Sequence, residues 1–130
     1  LIEDEPSVLA FVTQALKKAG YQVISADCAK AAYEVYDEHD GQFDLIFSDA
    51  VLPDGTGMEI LGCFLDRDPK LRALLSSGYT DARALLDKAL ERDIPFLHKP
   101  YSLAELYEKL REAIHSPVPT AEAAQERARK

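Results

Sequence analysis

The chain has little that suits a membrane, a nucleic acid or an oxidising compartment. No apolar run in its 130 residues approaches the roughly 20 needed to span a bilayer. Lys and Arg number 15 against 23 Asp and Glu, a net charge of −8. A domain this acidic lacks the basic surface that meets phosphates, which argues against nucleic-acid binding by the domain itself. Its two cysteines, Cys28 and Cys63, form no CxxC or metal-ligand spacing. They read as reduced core cysteines of a cytoplasmic protein. No signal-peptide pattern and no internal repeat is seen. What remains is an ordinary globular mix, 47% apolar and 29% charged, of a length that suits one domain with a real core. The chain opens at Leu1 rather than Met, and two residues before an acid pair are few for a central strand. A first strand that is truncated, with natural chain upstream, is therefore expected.

Strand and helix patterns then alternate. Leu1-Ile2 is the stub of the first strand. Ser7 is placed to N-cap a helix with the stripe Val8, Leu9, Val12, Ala15, Leu16 and Ala19, and Gly20 suits its stop. Gln22 to Ala26 reads as the second strand and Ala29 to His39 as the second helix. Leu45 to Ser48 is the third strand, Met58 to Asp66 the third helix and Leu71 to Ser76 the fourth strand. Asp81 is placed to cap a fourth helix with Ala82, Leu85, Leu86, Ala89 and Leu90 inward. Phe96 to His98 is the fifth strand, and Ser102 with Glu105 makes a capping box before a fifth helix. Its stripe is Leu103, Leu106, Tyr107, Leu110 and Ile114. This alternation predicts an α/β fold with a parallel sheet covered on both faces. Right-handed crossovers then bring every strand's carboxyl end to one edge. Beyond residue 115, Ser116-Pro117-Val118-Pro119 is a stiff break. Thr120 to Lys130 has no large apolar residue and reads as a linker and polar tail, or as a short helix leading to another domain.

Four polar features fall at strand ends. Asp49 closes the third strand before the Pro53-Asp54-Gly55 turn, Glu3-Asp4 follow the first, Ser77 the fourth and Lys99 the fifth. Singly each has a plain reading: a charged helix approach, a turn hydroxyl, a loop Lys-Pro. Together they converge where open α/β sheets bind ligands. Clustered carboxylates ionise cheaply only with a cation, and Mg²⁺ takes one or two carboxylates while keeping waters. A carboxylate is also a nucleophile toward phosphorus. Lys99 would pair with Asp49 at rest and with phosphoryl oxygens afterwards. Ser77 and the backbone N–H groups after Asp49, from Ala50 onward, would donate to the phosphoryl group.

The segments Leu1-Ile2-Glu3-Asp4-Glu5-Pro6, Asp44 to Gly57, Leu74 to Tyr79 and Phe96 to Tyr101 resemble the receiver domain of two-component response regulators, over about Leu1 to His115. The resemblance implies a flavodoxin-like, doubly wound (βα)5 fold whose five-stranded parallel sheet has the order 2-1-3-4-5. It implies that Asp49 is the phosphoacceptor and that Asp4, Asp49 and the Val51 carbonyl are Mg²⁺ ligands, with Glu3 acting mostly through water. It makes Ser77 the switch hydroxyl, Lys99 the phosphate-pairing lysine and Phe96 the aromatic switch, with a cis bond before Pro100. The readout face would be the fourth helix, fifth strand and fifth helix, near Arg83, Asp87, His98, Lys99 and Tyr101; it is also where a homodimer would form. Partners would be a histidine kinase or histidine phosphotransfer domain and an effector or attached domain, with no membrane contact. None of His39, His98 and His115 is placed as the donor. The Ser77 to Asp81 run resembles receivers of hybrid sensor kinases, with an effector-linked or stand-alone receiver as the other architecture.

Departures from the family pattern are Glu3 for the commoner Asp, Ser77 for Thr and Gly78 for Ala. Val51 and Tyr79 stand where polar residues orient the hydrolytic water, which implies slow loss of the phosphoryl group. Two other functions compete. A pseudo-receiver that only binds partners would have lost the acids or the lysine. A Mg²⁺-dependent phosphatase would carry a second acid where Val51 stands.

Overall fold

The computed structural model describes residues 1–78 and 82–115, with backbone alone at 82–86. Asp81, Tyr79 and the 116–130 linker and tail lie outside the described residues.

Three strands carry the sheet. β1 (Leu45–Asp49), β4 (Arg72–Ser77) and β5 (Phe96–His98) pair in parallel in the order β1-β4-β5. Their residues alternate between two faces, as a pleated strand requires. Ile46, Ala73, Leu75 and Phe96 point to a core with α2 (Ala29–Glu38), α3 (Gly57–Arg67) and α4 (Ala82–Glu91). Phe47, Leu74 and Leu97 point to a second core with α1 (Pro6–Lys18) and α5 (Leu103–His115). Both faces are thus apolar and covered, which makes a doubly wound α/β fold of the flavodoxin-like kind.

The expected first and second strands are single bridges rather than strands. Ile2 bridges Ala26 on one side and Ser48 on the other, both in parallel. Among the described residues the ladder is three strands, β1-β4-β5, where five in the order 2-1-3-4-5 were expected, and beyond β1 lie only Ile2 and then Ala26. The reason is length. With Leu1 alone before Ile2, one residue can present its groups to both neighbours, and Gln22 to Ala26 has little else to pair with. The bonds that exist are good: Ile2 N–H donates to Phe47 O at 2.8 Å and Asp49 N–H to Ile2 O at 2.8 Å.

Other differences are local. α1 begins at Pro6 with Glu5 at the N-cap, not Ser7, because proline's fixed φ and missing N–H suit the first helical position. Gly20 has φ 97°, the left-handed stop expected of it. Ala89 is fully buried while Leu90 is 64% exposed, since one helical step turns a side chain by about 100°. Neither cysteine is in the core. Cys28 Sγ caps α2 by accepting the Ala31 N–H at 3.4 Å, and Cys63 is exposed on α3, accepting the Tyr33 hydroxyl at 3.7 Å. Ser102 does cap α5, accepting the Glu105 N–H at 3.1 Å.

Candidate functional site

The carboxyl edge of the sheet gathers the polar residues singled out above. Glu3 and Asp4 leave the Ile2 bridge, Asp49 ends β1, Ser77 ends β4, and Lys99 directly follows β5, joined to Pro100 by a cis bond. Glu3, Asp4 and Asp49 each offer a carboxylate oxygen, and these lie within 4.8 Å of one another. Lys99 Nζ lies 2.9 Å from Glu3 Oε2 and 3.2 Å from Asp49 Oδ2. The expected Lys99–Asp49 pair is present, but the lysine's shorter bond goes to Glu3, whose longer arm reaches it. Glu3 is 3% exposed and also accepts the Glu5 N–H at 3.1 Å.

Burial sets the electrostatics. It raises the pKa of Glu3 and of Asp49, and Lys99 only partly offsets this. Burial alone would lower the Lys99 ammonium, but its hydrogen bond to Glu3 and the charge of Asp49 raise it overall. The Tyr101 phenol beside them is pushed up to about 12, mainly by burial. The three acids are therefore crowded, Glu3 and Asp49 are partly dry while Asp4 is exposed, and their hard oxygen donors fit a small divalent cation.

Ser77 Oγ donates to the Gly78 carbonyl at 3.1 Å. The Ser77 carbonyl accepts the Lys99 N–H at 2.8 Å, tying the ends of β4 and β5 together. The Ala50 N–H donates to Ser76 O at 2.7 Å and also faces the Asp49 carboxylate, lowering its pKa. It is thus not a free donor. Phe96 is already inside the core at 8% exposure, its ring 4.8 Å from that of His98. Val51 is 53% exposed beside the acids.

Three features of the site escape sequence reasoning. Val51–Leu52 (β2) and Gly55–Thr56 (β3) form a small antiparallel hairpin directly after Asp49. Gly57 is packed so closely that a Cβ there would overlap the Asp49 carbonyl oxygen. Asp54, at the hairpin's tip, accepts the N–H groups of Ala29 and Lys30. The turn residues signal the hairpin, but two-residue strands carry no readable period.

Comparison with known proteins agrees with this edge. The family described as response regulator receiver domain matches residues 1–111. The chain is 32% identical over 110 residues to the response regulator receiver protein CpdR of Brucella abortus, covering 85% of this chain and 90% of that one. It is 30% identical over 114 residues to the sensor kinase CckA of the same organism, covering 88% of this chain but 12% of the kinase. In structure it superposes on a receiver domain protein from Clostridium thermocellum with a TM-score of 0.79 at 23% identity, covering 87% of this chain and 90% of that one. It likewise matches a CheX–CheY–BeF3–Mg complex from Borrelia burgdorferi with a TM-score of 0.78 at 20% identity, covering 88% and 87%. At those identities the likeness speaks for the fold. The family match along residues 1–111 and the kinship with CpdR carry the assignment: the chain belongs to the response regulator receiver domain family of two-component signalling.

Proposed function

We propose that residues 1–115 are a phosphoacceptor switch in which Asp49 takes a phosphoryl group from a histidine kinase or histidine phosphotransfer domain. The observation that carries this is Lys99, held by Glu3 and Asp49 at the edge where three carboxylate oxygens lie within 4.8 Å. An Asp49 carboxylate oxygen forms the new P–O bond as the donor's P–N bond breaks, and the leaving imidazole takes up a proton. Asp4 and Asp49, with the Val51 carbonyl, would hold Mg²⁺, and Glu3 would act through water. The ion, when bound, shields the incoming phosphate from the acids. Lys99 exchanges its carboxylate partners for phosphoryl oxygens.

Ser77 would turn from the Gly78 carbonyl toward the phosphoryl group and draw the β4–α4 loop with it. Because Phe96 is already buried, its part in the switch is a repacking within the core rather than the burial of an exposed ring. The readout and any homodimer would use the α4–β5–α5 face, where Leu90 and Leu103 are exposed. The donor's route to Asp49 passes a groove of about 460 Å³ beside Lys99, lined by Val8, Phe11, Pro100 and Tyr101. Residues 116–130 would be a Pro-containing linker and polar tail. Kinship with a sensor kinase supports a hybrid-kinase parent in the cytoplasm, and kinship with CpdR supports a small response regulator. The exposed Val51 offers no polar group to a hydrolytic water, so Val51→Asn should speed dephosphorylation. An unchanged rate would remove that role.

Intact mass after incubation with acetyl phosphate or phosphoramidate, with and without Mg²⁺, tests the reading. The expected result is one phosphoryl group on wild type with Mg²⁺ and none on Asp49→Ala. No gain on a folded wild type that also fails to bind beryllofluoride would make the chain a partner-binding pseudo-receiver instead.

A further inference from the structure

We infer that Asp54 is a positioning residue for the Asp49 site, latching the β2–β3 hairpin to the first turn of α2. This rests on the proposed Mg²⁺ site and extends it to a residue that holds neither ion nor phosphate. Asp54 stands five residues beyond Asp49, at the tip of the hairpin that carries Val51. Its Oδ1 accepts the Ala29 N–H at 2.7 Å and its Oδ2 the Lys30 N–H at 3.0 Å. These are N–H groups of the first helical turn, which have no partner within the helix. Gly55 packs close enough to Ala29 that a Cβ there would sit 3.4 Å from the Ala29 Cβ. Leu52 and Ala29 are buried in the same core.

The other end of the hairpin is equally fixed. The Gly57 N–H donates to Ala50 O at 2.8 Å, and Gly57 lies against the Asp49 carbonyl. Val51 thus sits on a two-residue strand pinned at its base by Gly57 and at its tip by Asp54. Release of the tip leaves Val51↔Thr56 and Leu52↔Gly55 as the hairpin's pairing, too little to hold a free hairpin in place. The Val51 carbonyl would then wander relative to the Asp49 carboxylate, and a cation with strict octahedral demands would feel it first.

The test compares Asp54→Ala with Glu34→Gly, an exposed mid-α2 change that weakens the helix without touching the hairpin. Mg²⁺ affinity is measured by titration calorimetry, and amide hydrogen exchange is followed at residues 51 to 56. Asp54→Ala should weaken Mg²⁺ binding severalfold and speed exchange at the hairpin, with Asp54→Asn intermediate because one acceptor remains. Glu34→Gly should lower thermal stability yet bind Mg²⁺ as wild type does. If wild type and Asp54→Ala bind equally well with equal hairpin protection, the latch is wrong and the proposed function stands. If wild type itself binds no Mg²⁺, the proposed site and this extension fall together.

Discussion

The two halves of the sheet are built to different standards. β1, β4 and β5 run as continuous ladders, five pairs between β1 and β4 and three between β4 and β5. On the other side Ile2 and Ala26 contribute one bridge each way. Asp49, Ser77 and Lys99 grow from the laddered half, and Glu3 and Asp4 from the bridged half. The site straddles the join. The Lys99–Glu3 bond, between residues 96 apart in sequence, is a side-chain tie across it. A site built this way has a firmly laddered Asp49 side and a lightly held acid pair that depends on its partners for its place.

The largest test of that contrast is packing. Leu75 is fully buried in the laddered half, and Leu75→Ala should cost about 4 kcal/mol in a urea titration. Ile2→Ala, in the bridged half, should cost about 2 kcal/mol, the low end for such a truncation. Equal losses would mean that the halves share the load evenly.

Next comes the join between hairpin and acid. Gly57→Ala should destabilise by about 2 kcal/mol, because the added methyl meets backbone and the Leu75 side chain, and should also slow phosphoryl uptake. Gly78→Ala, with nothing within 4 Å of the new carbon, should change stability by less than about 0.5 kcal/mol. Similar effects at both glycines would show that the close approach at Asp49 is not tight.

The join between the halves, where Glu3 faces Asp49, is also where pH acts. The folded pKa of Glu3 is raised above 4.5 and that of Asp49 above 3.8, so the fold favours their protonated forms. Their contribution to stability is full below those ordinary values and is lost as pH rises through the raised ones. Without Mg²⁺, wild type should therefore lose stability relative to Glu3→Gln as pH climbs from below 4.5 toward neutrality. A difference between the two that does not change with pH would mean that Glu3 titrates as in water.

The smallest effect is on local opening. Amides of Ile2, Glu3 and Ala26 should exchange faster than those of Leu74 and Leu75, though all are hydrogen-bonded. Matching protection would make the sheet one cooperative unit.

Much of this was legible in the residues. The runs Leu45 to Ser48 and Phe96 to His98 read as strands because each is short, apolar and closed by a polar residue. Asp49, Ser77 and Lys99 could be matched to one edge because parallel topology has a fixed hand. Less legible were features that depend on a neighbour distant in sequence. Nothing around residue 54 announces that its carboxylate caps a helix begun 25 residues earlier. The cysteines looked like core residues by habit, and the helix phase turned Cys63 outward. Ser7 lost the cap position to the stronger rule of proline at the first helical turn.

Periodicity and chain order were thus enough for the α/β class, the order of the helices and of the three ladder strands, and the set of chemical groups at the site, because each follows from local preference and the handedness of crossovers. Only the tertiary structure decided that Lys99 bonds Glu3 more closely than Asp49, that Gly57 has no room for a side chain, and that Asp54 holds the hairpin. Those are matters of a few tenths of an ångström between segments far apart in the chain, and no local pattern carries them.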